Sequence, residues 1–298
     1  MAISERKLYT VHLGGRSLEL GRRALIMGIL NITTDSFSDG GRFASYDKAL
    51  ARAFELIAAG ADILDIGAES TRPGSVSIST ALELERVVPI VRAVREKSDI
   101  PISIDTTKAE VAAQALSEGA DIINDISSLQ FDPEMARVAA QSGAPVILMH
   151  MLGVPRTMQI NPTYESVISE IIAFMEERMR FAALNGIARG QIIVDPGIGF
   201  GKTITHNLRI IRDLESLSCL ERPILLGASR KAFIGKILGR PEGRRELGTA
   251  VVNIFGIAAG AHILRVHDVA FHREVVLLAE AVRNGHFTET RQSSVQTA

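Results

Sequence analysis

What this chain lacks narrows it first. Of its 298 residues only Cys219 is a cysteine, which excludes an internal disulfide and any metal site built from a cysteine cluster. Neither sign of charge is in excess. The formal net charge of −1 gives no general attraction to nucleic acid or to an anionic membrane, although a local basic pocket stays compatible with it. No stretch reaches the ~18 consecutive apolar residues of a membrane-spanning helix. The first residues, MAISERKLYT, are charged and carry no apolar core of a secretory signal, so a cytoplasmic protein is the expectation. A glycine fingerprint is missing as well. A doubly wound nucleotide-binding sheet usually shows one after its first strand, and Gly28-Ile29-Leu30-Asn31 is not one.

What is present is a sizeable core: 46% of the residues are hydrophobic and 22% charged, the balance of a soluble globular protein. Residues 8–20, LYTVHLGGRSLEL, alternate around Gly14-Gly15 and predict a β-hairpin acting as lid or plug. A first buried strand is predicted over 25–30. Helical spacing follows over 47–59, closed by Gly60 as a natural C-cap. Further strands are predicted at 62–66, 101–104, 121–126, 145–149, 191–194, 223–226 and 261–266. Helices are predicted over 81–97, 109–118, 164–185 and 247–260. The phrase Gly-Ala-Asp-Ile recurs at 60–63 and 119–122, with Gly-Ala-His-Ile at 260–263, as if one βα unit were reused. Alternation of this kind argues for a parallel sheet, and eight units in about 250 residues fit a (β/α)8 TIM barrel. One domain is expected over residues 1–284, with 285–298 a polar, disordered tail.

Polar residues that a core would reject sit at or just past nearly every predicted strand end: Asn31, Glu69 to Arg72, Asp105, Asn124, His150, Asp195, Lys231, Arg265 and His267. Any one alone reads as a solvated loop residue. Together they converge on the barrel face where such enzymes keep their active sites. The stretch Gly28–Gly41, GILNITTDSFSDGG, leads this set; its small polar side chains form a loop beside a strand end, a common place for binding and catalysis.

The inventory holds cations (Arg72, Lys231, Arg265, His267), carboxylates (Asp35, Asp105, Asp195) and amides (Asn31, Asn124). Carboxylates at strand ends without a His or Cys cluster suit Mg2+ held with water, or a heterocycle rich in N–H groups. Arginines and a histidine suit a diphosphate. Gly199-Phe200-Gly201-Lys202-Thr203 ends like a phosphate-binding Walker loop, but Pro196 stands where that pattern requires glycine. Met149, Met151 and Met158 have no thiolate nearby, and packing around a flat ligand explains them better than soft-metal binding.

In order and spacing, GILNITTDSFSDGG, DIGAESTRPGS, PISIDT, INDI, MHMLGVPRTMQ, DPGIGFGKT, LGASRKAFIG and RVHDV resemble the signature blocks of the dihydropteroate synthase family, over roughly residues 8 to 282. The resemblance implies a (β/α)8 barrel, usually a homodimer. The implied reaction condenses 6-hydroxymethyl-7,8-dihydropterin diphosphate with p-aminobenzoate, with Mg2+ accompanying the diphosphate. Carried over by motif, Asp105, Asn124, Met149, Asp195, Phe200 and Lys231 bind the pterin. Asn31, Thr71, Arg72, Arg265 and His267 hold the diphosphate, with Asn31 the metal ligand. Phe37, Arg72, Pro73, Ser229, Lys231 and Ala232 form the p-aminobenzoate pocket. Asp35, Asp105, Lys231, Arg265 and His267 are the implied catalytic residues, with Asp35 facing a developing carbocation. Small-molecule substrates are the only partners implied besides a second copy; nucleic acid and membrane are not.

Three positions depart from the family pattern. Thr34 replaces a proline usual in the first loop, which frees that backbone. Ala68 stands where a second glycine is common. Ala232 stands where many members carry a serine that donates to the p-aminobenzoate carboxylate, so weaker binding of that substrate is expected, and of the sulfonamides that mimic it. A pterin-dependent methyltransferase shares a related barrel, but needs neither Arg72 nor the Arg265-x-His267 pair. A noncatalytic pterin-binding homologue is the other alternative, and the diphosphate-contacting set speaks against it.

Overall fold

The computed structural model describes residues 5–32, 41–70, 75 and 77–286, leaving aside the side chains of 41–45. An antiparallel pair comes first: β1 (Tyr9–Leu13) and β2 (Arg16–Leu20), in register Leu13↔Arg16. Gly14 takes a φ of 66° in the turn between them, a left-handed conformation that glycine adopts without steric cost.

Eight parallel strands follow: β3 (Leu25–Asn31), β4 (Ile63–Gly67), β5 (Ile102–Asp105), β6 (Ile122–Asp125), β7 (Val146–Met149), β8 (Ile192–Asp195), β9 (Leu225–Leu226) and β10 (Ile263–Val266). They are hydrogen-bonded in the order β8-β7-β6-β5-β4-β3-β10-β9. A bridge between Val194 and Ile224 joins the two ends and closes the ring into the expected (β/α)8 barrel. The strands are buried along nearly their whole length, as parallel strands covered on both faces must be. Around them lie α1 (Gly41–Ala58), α2 (Thr80–Arg95), α3 (Ala109–Ser117), α4 (Met135–Ser142), α5 (Val167–Leu184), α6 (Ile204–Arg212), α7 (Ala232–Leu238), α8 (Glu246–Ala258) and α9 (Val269–Asn284). No described helix is long and apolar enough to cross a membrane.

The hairpin is a plug. Val11, Leu13 and Leu20 pack with Leu25, Ile63, Ile122, Ile147, Ile193, Leu225 and Ile263, residues at or near the starts of the barrel strands. The end opposite the strand C-termini is thereby filled with hydrocarbon.

The recurring Gly-Ala-Asp-Ile phrase has a structural meaning. Gly60, Gly119 and Gly260 take φ values of 95°, 106° and 94° where a helix turns back toward the barrel. Two residues later a side chain accepts a backbone N–H at the start of a neighbouring strand: Asp62 from Ile26 at 2.8 Å, and Asp121 from Ile102 at 2.8 Å. The third copy uses a histidine in that role, His262 Nδ1 accepting from Ile224 N at 3.1 Å. Arg23 forks onto Asp62, and Arg16 and Arg95 onto Asp121.

Several boundaries differ from expectation. Helix α1 starts at Gly41 rather than 47, and α5 spans Val167–Leu184 rather than 164–185. Tyr164 lies before α5 because its hydroxyl reaches across to the Gly201 carbonyl at 2.8 Å. Strand β9 shrinks to Leu225–Leu226. Periodicity does not single out α4, α6, α7 or α9. Of these α6 is set by Thr203, whose hydroxyl accepts from His206 N at 3.2 Å as an N-cap, and α9 by Asp268, which accepts from Phe271 N at 3.1 Å.

Candidate active site

At the strand C-termini the polar residues converge as expected. The deepest group is one that the sequence reading missed. Asp65, within β4 and fully buried, accepts the Nε of Arg265 at 2.6 Å and lies 3.3 Å from the Asn124 amide nitrogen. Its signal was a carboxylate inside the apolar run DILDI. Arg265 also donates its Nη2 to Asp105 at 2.6 Å, so one guanidinium from β10 bridges carboxylates from β4 and β5. Burial opposes charge on Arg265, but Asp65 and Asp105 outweigh it and raise its pKa. Burial pushes the Asp105 carboxyl up to about 7, with Arg265 pulling it down and Asp65 pushing it further up. Asp105 therefore titrates near neutrality, as groups in functional sites often do.

Across the barrel mouth Asp195 ends β8. Its Oδ1 accepts from Gly197 N at 2.7 Å, and burial raises its pKa against that bond and the nearby Lys231. Lys231, the residue before α7, puts its ammonium 4.0 Å from the centre of the Phe200 ring, a cation–π contact. Phe200 belongs to an apolar cluster with Ile126, Met149, Met151 and Met158. A flat surface thus lies beside a ring of N–H acceptors and donors: Asp105, Asn124, Asp195 and Lys231. His267 follows β10, its Nδ1 2.9 Å from the Ser229 hydroxyl, which also accepts from His267 N at 3.2 Å. Arg230, next to Lys231, turns the other way and pairs with Glu246. Ala232 is exposed at the start of α7, and Asn31 is exposed at the end of β3.

His150, counted among the strand-end residues, does not join this ring. Its imidazole is buried edge-on against Phe174 of α5, with ring centres 4.9 Å apart, and 2.9 Å from Lys202 Nζ. Burial and that lysine hold its pKa down to about 3. Glu69 is tied to Lys108, which also binds the buried Glu83. A cavity of about 820 Å3 opens beside Asp105, lined by Glu69, Thr106, Lys108, Phe131 and Arg156 among others; it adjoins the polar ring without including Asn124, Asp195 or Lys231. Asp35, Phe37, Thr71, Arg72, Pro73 and Thr34 lie outside the described residues.

The gathering of an apolar cluster, buried carboxylates and a bridging arginine at one barrel mouth suits a flat heterocycle rich in N–H groups, and the family profile described as "Pterin binding enzyme" matches residues 27–267. The dihydropteroate synthase of Synechocystis sp. is 48% identical over 270 residues, covering 90% of this chain and 93% of that protein. Among solved structures, the Yersinia pestis dihydropteroate synthase in a sulfonamide drug complex superposes with a TM-score of 0.87 at 42% identity, covering 93% of this chain and 99% of that one. The Xanthomonas albilineans dihydropteroate synthase with 4-aminobenzoic acid gives a TM-score of 0.87 at 38% identity, covering 93% and 99%. The chain belongs to the dihydropteroate synthase family.

Proposed function

We infer that this chain is a dihydropteroate synthase, a transferase of folate biosynthesis. It condenses 6-hydroxymethyl-7,8-dihydropterin diphosphate with p-aminobenzoate to give 7,8-dihydropteroate and diphosphate. The observation that carries this reading is the Asp65–Arg265–Asp105 bridge standing beside Asn124 and Asp195. It presents N–H acceptors to a heterocycle and a guanidinium to an anion in one enclosed place.

In this reading the aminopyrimidinone edge of the pterin donates to Asp195 and pairs with Asn124, while Lys231 donates to the ring carbonyl and Asp105 accepts a ring N–H. Met149 and Phe200 cover its faces. The Arg265 guanidinium meets diphosphate oxygens together with His267 and, on the family pattern, Asn31, Thr71 and Arg72. The bond between methylene carbon and diphosphate oxygen breaks first. The resulting cation spreads into the pterin ring, and the aniline nitrogen attacks it and gives up a proton. Fixed donors aimed at the leaving group lower that barrier without reorganisation. Asp35 faces the cation, and Phe37, Arg72, Pro73, Ser229, Lys231 and Ala232 form the pocket of the second substrate. Water would capture the cation, so on the family pattern residues 33–40 and 70–76 have an excluding role.

Mg2+ fits this arrangement through substrate as much as protein. The ion commonly takes one or two protein oxygens, water and substrate phosphates, and the Asn31 amide oxygen is an exposed donor of the right chemistry. When bound it would neutralise charge on the leaving group.

The catalytic unit spans residues 1–284. A homodimer goes with the reading: Leu247, Val251, Ile254 and Phe255 form one exposed apolar face of α8, next to Leu277 and Leu278 of α9. Sedimentation of the protein as a monomer at micromolar concentration would remove that part. A cytoplasmic location suits a chain whose single cysteine, Cys219, is free and exposed.

The test is diphosphate release from the pterin diphosphate with Mg2+, with and without p-aminobenzoate. Release that depends on p-aminobenzoate is expected. Binding of the pterin without release would point to a noncatalytic homologue instead.

A further inference from the structure

Lys202 has no part in the reaction as derived above, yet among the described residues it is the one lysine that is buried, 3% exposed. Burying an amine away from water is costly unless its hydrogen bonds are replaced. Here they are replaced by neutral groups: its Nζ lies 2.9 Å from His150 Nδ1, 3.2 Å from the His150 carbonyl and 2.9 Å from the Phe200 carbonyl. Burial pulls its pKa down to about 7, which keeps the cost of the uncharged form small and leaves it two N–H donors and a lone pair for the same three partners.

Those partners join two elements. His150 closes β7, while Phe200 sits in the turn between β8 and α6. That turn runs through Gly197, Gly199 and Gly201 with φ of 69°, 84° and 63°, a backbone with little rigidity of its own. Side chains pin it instead. Asp195 Oδ1 accepts from Gly197 N at 2.7 Å, Asn207 accepts from Gly199 N at 2.7 Å, and Tyr164 donates to the Gly201 carbonyl at 2.8 Å. Of these side-chain bonds only that of Lys202 falls on Phe200 itself, whose N–H also donates to the Gly197 carbonyl at 3.1 Å and whose ring meets Lys231 and the methionine cluster.

We propose that Lys202 is a positioning residue for the pterin, tying the Phe200 carbonyl to the end of β7 and so setting the plane of the ring on which the heterocycle stacks. The proposal rests on the dihydropteroate synthase reading. It gives the Gly199–Thr203 motif a meaning in which Lys202 never touches a phosphate.

The experiment compares wild type and Lys202→Met by calorimetric titration with two separate probes, 6-hydroxymethylpterin and inorganic diphosphate with Mg2+. The expected result is about tenfold weaker pterin binding, the size of one lost net hydrogen bond, with diphosphate binding changed less than twofold. In turnover the KM for the pterin diphosphate rises more than kcat falls. A double-mutant cycle with Phe200→Ala is expected to be strongly non-additive, because Lys202 acts through that ring. Unchanged pterin affinity, an equal loss for both probes, or additive effects would each overturn the proposal. Should Lys202→Met fail to fold, Lys202→Gln, whose shorter amide reaches only one carbonyl, is expected to lose at least threefold in pterin affinity, and wild-type affinity there overturns it too. A wild type that binds no 6-hydroxymethylpterin is a separate result, since it removes the functional reading before Lys202 is in question.

Discussion

Arg265 holds Asp65 through its Nε and Asp105 through its Nη2, both at 2.6 Å. One cation therefore serves two carboxylates, and the floor of the site carries a net negative charge that varies with the protonation of Asp105.

Replacing Asp65 by asparagine removes the charged acceptor from Arg265 and turns an amide toward the Asn124 side chain. Hydrogen bonds to charged groups contribute about 1.5–3 kcal/mol each, and the site is only partly screened by solvent. Asp65→Asn is expected to lose about that much unfolding free energy in urea titrations and to raise the KM for the pterin diphosphate at least tenfold. Wild-type values for both would show that the bridge is dispensable.

The titration of Asp105 has a direction. Its carboxyl, raised to about 7 by burial, would be the stronger acceptor for the ring N–H of the proposed substrate when ionised. Affinity for 6-hydroxymethylpterin is therefore expected to increase as pH rises through about 7. Asp65 adds to the upward shift, so in Asp65→Asn the inflection moves to lower pH. Calorimetry across about 1.5 pH units on either side of that value reads both. A flat profile in the wild type would assign the neutral-range titration elsewhere.

Ala232 begins α7 with its methyl group exposed. A serine hydroxyl there would add a donor to the p-aminobenzoate carboxylate, and Ala232→Ser is expected to lower the KM for p-aminobenzoate by roughly one to two orders of magnitude. Sulfonamide inhibition is expected to strengthen in parallel. Unchanged constants for both ligands would mean that another group already meets the carboxylate.

His262 makes a prediction about stability alone. Its Nδ1 accepts from Ile224 N, so its Nε2 carries the proton donated to the Lys7 carbonyl at 3.0 Å. Burial lowers its pKa to about 4. Because the folded value lies below the ordinary 6.5, its contribution is complete above pH 6.5 and is lost as pH falls toward 4. At about 1.36 kcal/mol per pKa unit the loss approaches roughly 3 kcal/mol. His262→Gln, uncharged at all pH, is expected to be less stable at neutrality but flatter in this window. Denaturation curves for the two proteins that stay parallel from pH 6.5 to 4 would contradict it.

How much of this was legible in the sequence differs residue by residue. Polar side chains that interrupt an apolar run at its end, such as Asp105, Asn124 and Asp195, announce both the strand and the site, because a core rejects them. Asp65 does the same chemistry one layer deeper, where an alternating strand hides it: DILDI reads as a strand whether or not its second aspartate is functional. His150 misled in the other sense, since position at a strand end does not say which way a side chain turns. Helix α4 spans only eight residues, about two turns, which is too short a stretch for periodicity to stand out. The repeated Gly-Ala-Asp-Ile phrase was visible, but its purpose was not, because the strand N–H that each aspartate caps lies far away in sequence.

The plug formed by β1 and β2 divides the barrel's two ends between two tasks. Val11, Leu13 and Leu20 sit on hydrocarbon at the starts of the barrel strands, at the pole opposite the strand C-termini. The barrel interior is already a packed core, so the hairpin acts as a stopper that keeps water off the apolar strand starts. Its residues contribute through packing alone, while the polar residues at the other pole are left free for chemistry.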